Sequence, residues 1–343
     1  MNVVCFSSFT FSYLDRARVL FETVRRHQPG WTRVALITDK PPPGVDFRIA
    51  DEPFDRVVWA EDLGLPDFHA WLFKHDVVEA CTAVKGPFAE MVCRQGEADA
   101  VVYLDPDIAV FSSLDPIEEA LERADILVTP HLVEPNETHE AILDNDISAL
   151  RTGVFNLGFV AMRTRGEGAK FAAWWARMLA DYCYDDIPAG LFTDQRWCDH
   201  IPSFFDNYAV LRDPGYNVAS WNLSRRKVDI GHDGEVSVNG SPLRFWHFTK
   251  LGPLGDAMTQ KYAGDNFQVY EIWDWYRRQV REKALAGLPP RYWAHGSYSD
   301  GTPIPKAHRV LYRTRPDLQA AYPDPFDARG FKAWLAAQEQ TAA

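Results

Sequence analysis

Apolar and polar positions along the chain fall into short strand-like runs alternating with helical stretches. Val3 to Phe6 is a continuous apolar run. From Tyr13 to His27 the apolar residues Leu14, Ala17, Val19, Leu20, Phe21 and Val24 recur at helical spacing and give one buried face, which Pro29-Gly30 ends. Arg33 to Thr38 reads as the next strand, with strand pieces expected at Asp46 to Ile49 and Arg56 to Trp59. A long helical stretch from Phe68 to about Gln95, broken at Gly86-Pro87, precedes the apolar run Val101 to Leu104. Leu114 to Arg123 predicts a helix, Ile126 to Thr129 and Phe155 to Met162 predict strands, and Glu167 to Tyr182 predicts a helix with Trp174-Trp175 in its packing face. Strands alternating with helices predict an α/β fold with a mostly parallel central sheet, whose strand ends are where ligands bind. Periodicity weakens after Ile201, where prolines and glycines multiply, and returns in an aromatic helix over Phe267 to Ala286. We therefore divide the chain into a main domain, residues 1–286, and a C-terminal appendage of loops and a short helix, residues 287–343. No internal repeat is present.

Composition narrows the class. With 36 basic and 48 acidic residues the formal net charge is −12, and the longest basic cluster is Arg225-Arg226-Lys227, so no nucleic-acid partner is expected. Five cysteines with no C-x-x-C pair read as free thiols of a reducing compartment. Residues 1–10 read as a first strand and not as a signal peptide, and no apolar run is long enough to cross a bilayer. The expected location is cytoplasmic, with peripheral membrane contact left open.

Candidate chemistry begins at Tyr103-Leu104-Asp105-Pro106-Asp107, two carboxylates at the end of an apolar strand. Residues two apart on an extended backbone face the same way, and Pro106 biases Asp105 toward extended geometry. Asp144-Asn145-Asp146 repeats the spacing without a strand leading into it and reads as a solvated pair. Asn156 interrupts an apolar strand beside Gly158, which suits either a hydrogen-bonded core amide or a group facing a ligand cleft. Asp194-Gln195 follows a turn-rich stretch, and His247 sits within the aromatic run Phe245 to Phe248, shortly before Lys250. Asp105, Asp107 and His247 together form an oxygen and nitrogen donor set suited to Mn²⁺ somewhat better than Mg²⁺, and such a cation can clamp a diphosphate.

The order Tyr-Leu-Asp-Pro-Asp, Phe-Asn-Leu-Gly-Phe, Asp-Gln and His-Phe-Thr-Lys resembles the retaining, family-8-like GT-A glycosyltransferases over roughly residues 3 to 255. The resemblance implies a metal-dependent transferase with a nucleoside-diphosphate sugar as donor and a glycan or lipid-linked sugar as acceptor, in bacterial surface glycan synthesis. It implies that Asp105, Asp107 and His247 bind the metal and that Asp105 also lies near the ribose. Asn156 and Asp194 would hold hydroxyls of the donor sugar, Gln195 would lie beneath the anomeric carbon, and Lys85 would contact the donor. The Ser7 to Thr10 loop after the first strand would lie by the nucleobase, and Lys250 would touch the diphosphate. Lys250 departs from the family by standing only three residues after His247. In a retaining reaction a leaving phosphate oxygen takes the acceptor proton; in an inverting one Asp194 would be the base. A nucleotidyltransferase is disfavoured because residues 5–14 carry no glycine-rich loop, and a silent nucleotide-sugar-binding protein would be expected to have lost part of the set. Trp246, Trp273 and Trp293 are candidate acceptor platforms, with helix core the safer reading for Trp273.

Overall fold

The computed structural model describes residues 1–342. Its first strand, β1 (Val3–Phe9), is buried along its whole length and leads through a turn into the helix α1 (Leu14–His27). The strands β2 (Thr32–Ile37) and β3 (Arg56–Trp59) follow. Residues 46–49 form no strand; the chain there enters a single helical turn at Ile49–Asp51.

The expected long helix over residues 68–95 is three helices, α2 (Phe68–Phe73), α3 (Val77–Ala83) and α4 (Lys85–Gln95). Asp76 causes the first restart, because its carboxylate caps the amides of Val78 and Glu79 while Glu79 caps Asp76 in return. Gly86-Pro87 is no break. Pro87 stands in the first turn of α4, where no intrahelical amide donor is needed. A Cβ at Gly86 would come within 2.8 Å of Ala176 on the helix Gly166–Tyr182, so glycine allows α4 to lie close on that helix.

Further strands are β4 (Ala100–Leu104), β5 (Ile108–Val110), β6 (Ile126–Pro130) and β7 (Phe155–Arg163). A small hairpin, β8 (Asp185–Asp186) with β9 (Leu191–Phe192), precedes β10 (Tyr208–Val210). A meander of β11 (Val228–Ile230), β12 (Val236–Val238) and β13 (Ser241–Pro242) leads to β14 (Phe245–His247). The central sheet has seven strands in the order β10-β6-β7-β4-β1-β2-β3, all pairings parallel except those of β7. One face packs on α3, α4 and the Gly166–Tyr182 helix through residues such as Phe88, Phe171 and Trp175; the other packs on α1 and the helix Asp115–Leu121.

Residues 287–342 return to the N-terminal half. Tyr298, Tyr312, Leu318 and Phe331 form a cluster around Phe73 of α2. Arg309, 2% exposed, donates to three main-chain carbonyls, those of Phe73 (3.2 Å), His75 (2.8 Å) and His295 (2.6 Å).

Three imidazoles, those of buried His75 and His295 and of partly buried His131, have no carboxylate partner among the described residues. Burial pushes His75 down to about 3, and His131 and His295 down to about 4. The folded state therefore keeps them neutral while the unfolded chain binds protons below its ordinary value near 6.5. Between pH 6.5 and about 4 the unfolded state holds more protons at these groups, so each of them lowers stability as pH falls, by at most about 3 kcal/mol. His247, described below, is raised instead and acts in the opposite sense. Asp39, pushed up to about 6 by burial, acts in that opposite sense as well. Between pH 7 and pH 5 a His75→Phe protein should therefore lose less stability in urea unfolding than the wild type; an equal loss in the two would contradict a neutral buried His75.

Candidate functional site

The antiparallel strand β7 sets up the site. Because Leu104 faces Phe159, the residues Asn156 to Gly158 extend past the end of β4 and lie beside Asp105, whose amide donates to the Gly158 carbonyl at 2.8 Å. The turn through Pro106 closes with the Ile108 amide on the Asp105 carbonyl at 3.0 Å. Next, β5 pairs antiparallel with β14 and sets His247 opposite Ile108. The Phe248 amide donates to the Asp107 carbonyl at 2.8 Å. Two local pairings thus carry a distant histidine onto the acidic pair.

His247 Nε2 lies 3.1 Å from Asp107 Oδ1 and 3.5 Å from Asp105 Oδ2. Burial disfavours the charged imidazole, but Asp107 and then Asp105 outweigh it and hold His247 above its ordinary value. Burial likewise works against the Asp107 carboxylate, and the imidazole overcomes it, leaving Asp107 below the usual range. The other oxygen of Asp105 is taken: Oδ1 accepts from Tyr103 Oη at 2.5 Å and from Lys85 Nζ at 3.2 Å. One oxygen of each carboxylate and one imidazole nitrogen therefore converge, all within 4.8 Å of one another. A hard or borderline divalent cation fits such a set, with positions left for phosphate oxygens.

Lys85 is buried at the start of α4, its ammonium 2.8 Å from Asp194 Oδ2, 3.2 Å from the Leu157 carbonyl and 4.0 Å from the centre of the Tyr103 ring. Burial opposes its charge, but Asp105 and Asp194 prevail and keep it an ammonium well above the ordinary lysine range. Gln195, at the start of the helix Gln195–Cys198, donates to the Thr152 carbonyl at 2.8 Å, which fixes its amide against the segment before β7.

Asn156 Oδ1 accepts from the Gly158 amide at 3.2 Å and lies 3.2 Å from His247 Nδ1. A Cβ at Gly158 would come within 2.6 Å of the His247 ring and 2.8 Å of Asn156 Oδ1. Gly158→Ala should therefore displace the imidazole, costing about 1–3 kcal/mol by overpacking, and should weaken any Mn²⁺ binding by the set. Urea unfolding and a Mn²⁺ titration check it; wild-type values in both would mean the ring moves aside freely.

Other expected positions fall elsewhere. Ser7 lies within β1, not in a loop, because the strand runs three residues beyond Phe6; its buried hydroxyl has no partner among the described residues. Only Thr10 follows the strand, and its side chain is buried as well. Lys250 is exposed, with φ of 58°, and its ammonium makes no hydrogen bond or ion pair among the described residues. Trp246 and Trp273 are fully buried and so cannot be acceptor platforms, whereas Trp293 is half-buried and donates to the Thr38 carbonyl at 3.1 Å. Asp144 is exposed and binds Lys261 and Tyr262, a solvated pairing.

Three residues at the site were not singled out from the sequence. Tyr103 shares its strand face with Asp105 by the same two-residue spacing that marked the acidic pair, so a signal existed. Arg16 on α1 acts on Asp107 through its charge, and helical periodicity gives no hint of that. His131, just after β6, meets Asn156 only through the fold.

No known family profile matches the chain. Two curated relatives from Bacillus subtilis, both uncharacterised proteins, are similar in sequence. YfnF is 27% identical over 51% of this chain, and YfnD is 28% identical over 50%. The chain's match spans 57% and 53% of these relatives, little more than half their length. Among solved structures, the galactosyltransferase LgtC with donor and acceptor sugar analogues superposes with a TM-score of 0.46 and 15% identity, over 84% of this chain and 97% of LgtC. Mouse xyloside xylosyltransferase 1 superposes with a TM-score of 0.41 and 13% identity, over 74% of this chain and 98% of that one. The Streptococcus pneumoniae glycosyltransferase GlyE gives 0.40 and 14%, over 81% and 64%.

Proposed function

We propose that this chain is a metal-dependent glycosyltransferase that moves a sugar from a nucleoside diphosphate to an acceptor hydroxyl with retention of configuration. The observation that carries the reading is the convergence of Asp105, Asp107 and His247 at the end of β4, beside a buried ammonium and a fixed amide. The cation would be Mn²⁺ or Mg²⁺, held by those three residues; when bound it supplies positive charge to the departing diphosphate. Lys85 keeps Asp105 and Asp194 in place and lends charge to the donor side of the cleft. Gln195 lies beneath the anomeric carbon, and Asn156 and Asp194 border the sugar. Asp194 is 3% exposed and tied to Lys85, which makes it a poor general base and favours the retaining route. With Lys250 turned to solvent, charge on the diphosphate is met chiefly by the cation.

The acceptor is a glycan or lipid-linked sugar of a bacterial surface polymer. No described helix is long and apolar enough to cross a membrane, and five free thiols fit the reducing cytoplasm.

Thermal shifts with UDP, GDP and dTDP, each with and without Mn²⁺, test the reading. A ligand at a hundred times its Kd should add about 2.7 kcal/mol. A Mn²⁺-dependent gain with one diphosphate is expected; no response to any diphosphate would sink the proposal. Analysis of the product anomer then checks retention.

A further inference from the structure

We infer that His131 is a positioning residue for the metal site: through the Asn156 amide it fixes which nitrogen of His247 is offered to the cation. The inference rests on the cation reading of Asp105, Asp107 and His247 given above.

The argument starts from a donor whose identity is fixed. The Gly158 main-chain N–H can only donate, and it lies 3.2 Å from one terminal atom of Asn156, which must therefore be the oxygen. His247 Nδ1 lies 3.2 Å from that same oxygen, so Nδ1 must carry a proton. Nε2 is then the nitrogen whose lone pair a cation can take, and it is the one that faces Asp105 and Asp107. At the far side of the amide, Asn156 Nδ2 lies 3.2 Å from His131 Nε2. An amide NH₂ only donates, so His131 Nε2 must be unprotonated and its proton sits on Nδ1. One proton arrangement satisfies both ends of the Asn156 amide and His247 Nδ1, and it leaves the buried His131 Nδ1 proton without a hydrogen-bond partner among the described residues.

The main chain at His131 is held on both sides. Its amide donates to the Val154 carbonyl at 3.0 Å, and its carbonyl accepts from Trp221 Nε1 and Asn222 Nδ2, each at 3.2 Å. Trp221 in turn sets its ring edge-on to His247, with centroids 5.5 Å apart. Gly158 completes the arrangement by leaving room for the imidazole. Asn156 thus orients a metal ligand, beyond any contact with a sugar. Outer partners of this kind are worth roughly 10–100-fold in metal affinity.

Two measurements on the full chain test this. In the isotope-labelled wild type, a nitrogen–proton correlation of the imidazoles should show neutral His131 protonated at Nδ1. With Cd²⁺ bound, His247 should be metallated at Nε2 and keep its proton on Nδ1. Mn²⁺ titration followed by electron paramagnetic resonance should give a Kd roughly 10-fold weaker for His131→Phe. His131→Gln, whose amide oxygen can accept from Asn156, should restore most of it. His131 protonated at Nε2 in the wild type, or wild-type Mn²⁺ affinity in His131→Phe, would overturn the relay and leave the metal site standing. A wild type that binds no Mn²⁺ would overturn both. The tautomer of wild-type His131 decides the matter even if His131→Phe does not fold.

Discussion

Under the proposed function, Asp107→Asn is expected to keep its fold and to lose sugar transfer by roughly 10³-fold, about 4 kcal/mol of barrier. The side chain keeps its shape, and the main-chain bond from Phe248 to the Asp107 carbonyl is untouched. What disappears is one of the two anionic oxygens facing His247, and with it the charge that would hold a dication. The stabilisation by Mn²⁺ plus nucleoside diphosphate should vanish together with the activity. Asp144→Asn is the control: it has the same spacing to its partner aspartate but is exposed and bound to Lys261 and Tyr262. It should change stability by no more than about 0.5 kcal/mol and leave transfer as it was. Full Mn²⁺ dependence in Asp107→Asn would move the metal site elsewhere.

Lys85→Met should be the most destabilising single change near the site. The ammonium is the partner of buried Asp194 and also binds Asp105 and the Leu157 carbonyl. Methionine fills much of the space but leaves Asp194 with the Thr193 hydroxyl and no cation. Removing one member of a buried ion pair costs about 3–5 kcal/mol, because the remaining charge is neither paired nor hydrated. Adding Asp194→Leu to Lys85→Met should recover most of that stability while transfer stays lost. Urea denaturation of the two proteins separates the cases. A Lys85→Met protein as stable as the wild type would mean that water reaches Asp194 despite its burial.

What could be read in the sequence was what local physics decides. The apolar run at Val101 to Leu104 and the periodicity of residues 13–27 required a buried strand and an amphipathic helix, and β4 and α1 stand where those patterns put them. The seven-stranded, mostly parallel sheet follows from the alternation of such units. Boundaries that hinge on one side chain were harder. The restart of the helix at Asp76 depends on a reciprocal cap, and Pro87 could as well have ended a helix as begun one. In the site, the acidic pair, Asn156, Asp194, Gln195 and His247 could be picked out as polar groups out of keeping with their surroundings. Their arrangement could not, since it depends on β7 running antiparallel and on β5 pairing with a strand far along the chain. Burial of Trp246 was equally invisible, because an aromatic ring suits a core and a sugar platform alike, whereas the helical setting of Trp273 already favoured the core. Arg16 and His131 carry no local signal: each acquires meaning only through a neighbour brought in by the fold.

The grip of residues 292–309 on the first third of the chain bears on how the protein is made. Tyr292 accepts the Ser12 hydroxyl at 2.5 Å, the Ala294 amide binds Asp39 at 2.7 Å, and Arg309 ties down the carbonyls that follow α2. These partners stand between 234 and 280 residues apart along the chain, so the turns after β1 and β2 and the end of α2 stay unbraced until both ends of each contact exist. Such long-range closure is slow to form and open to competing contacts while it waits.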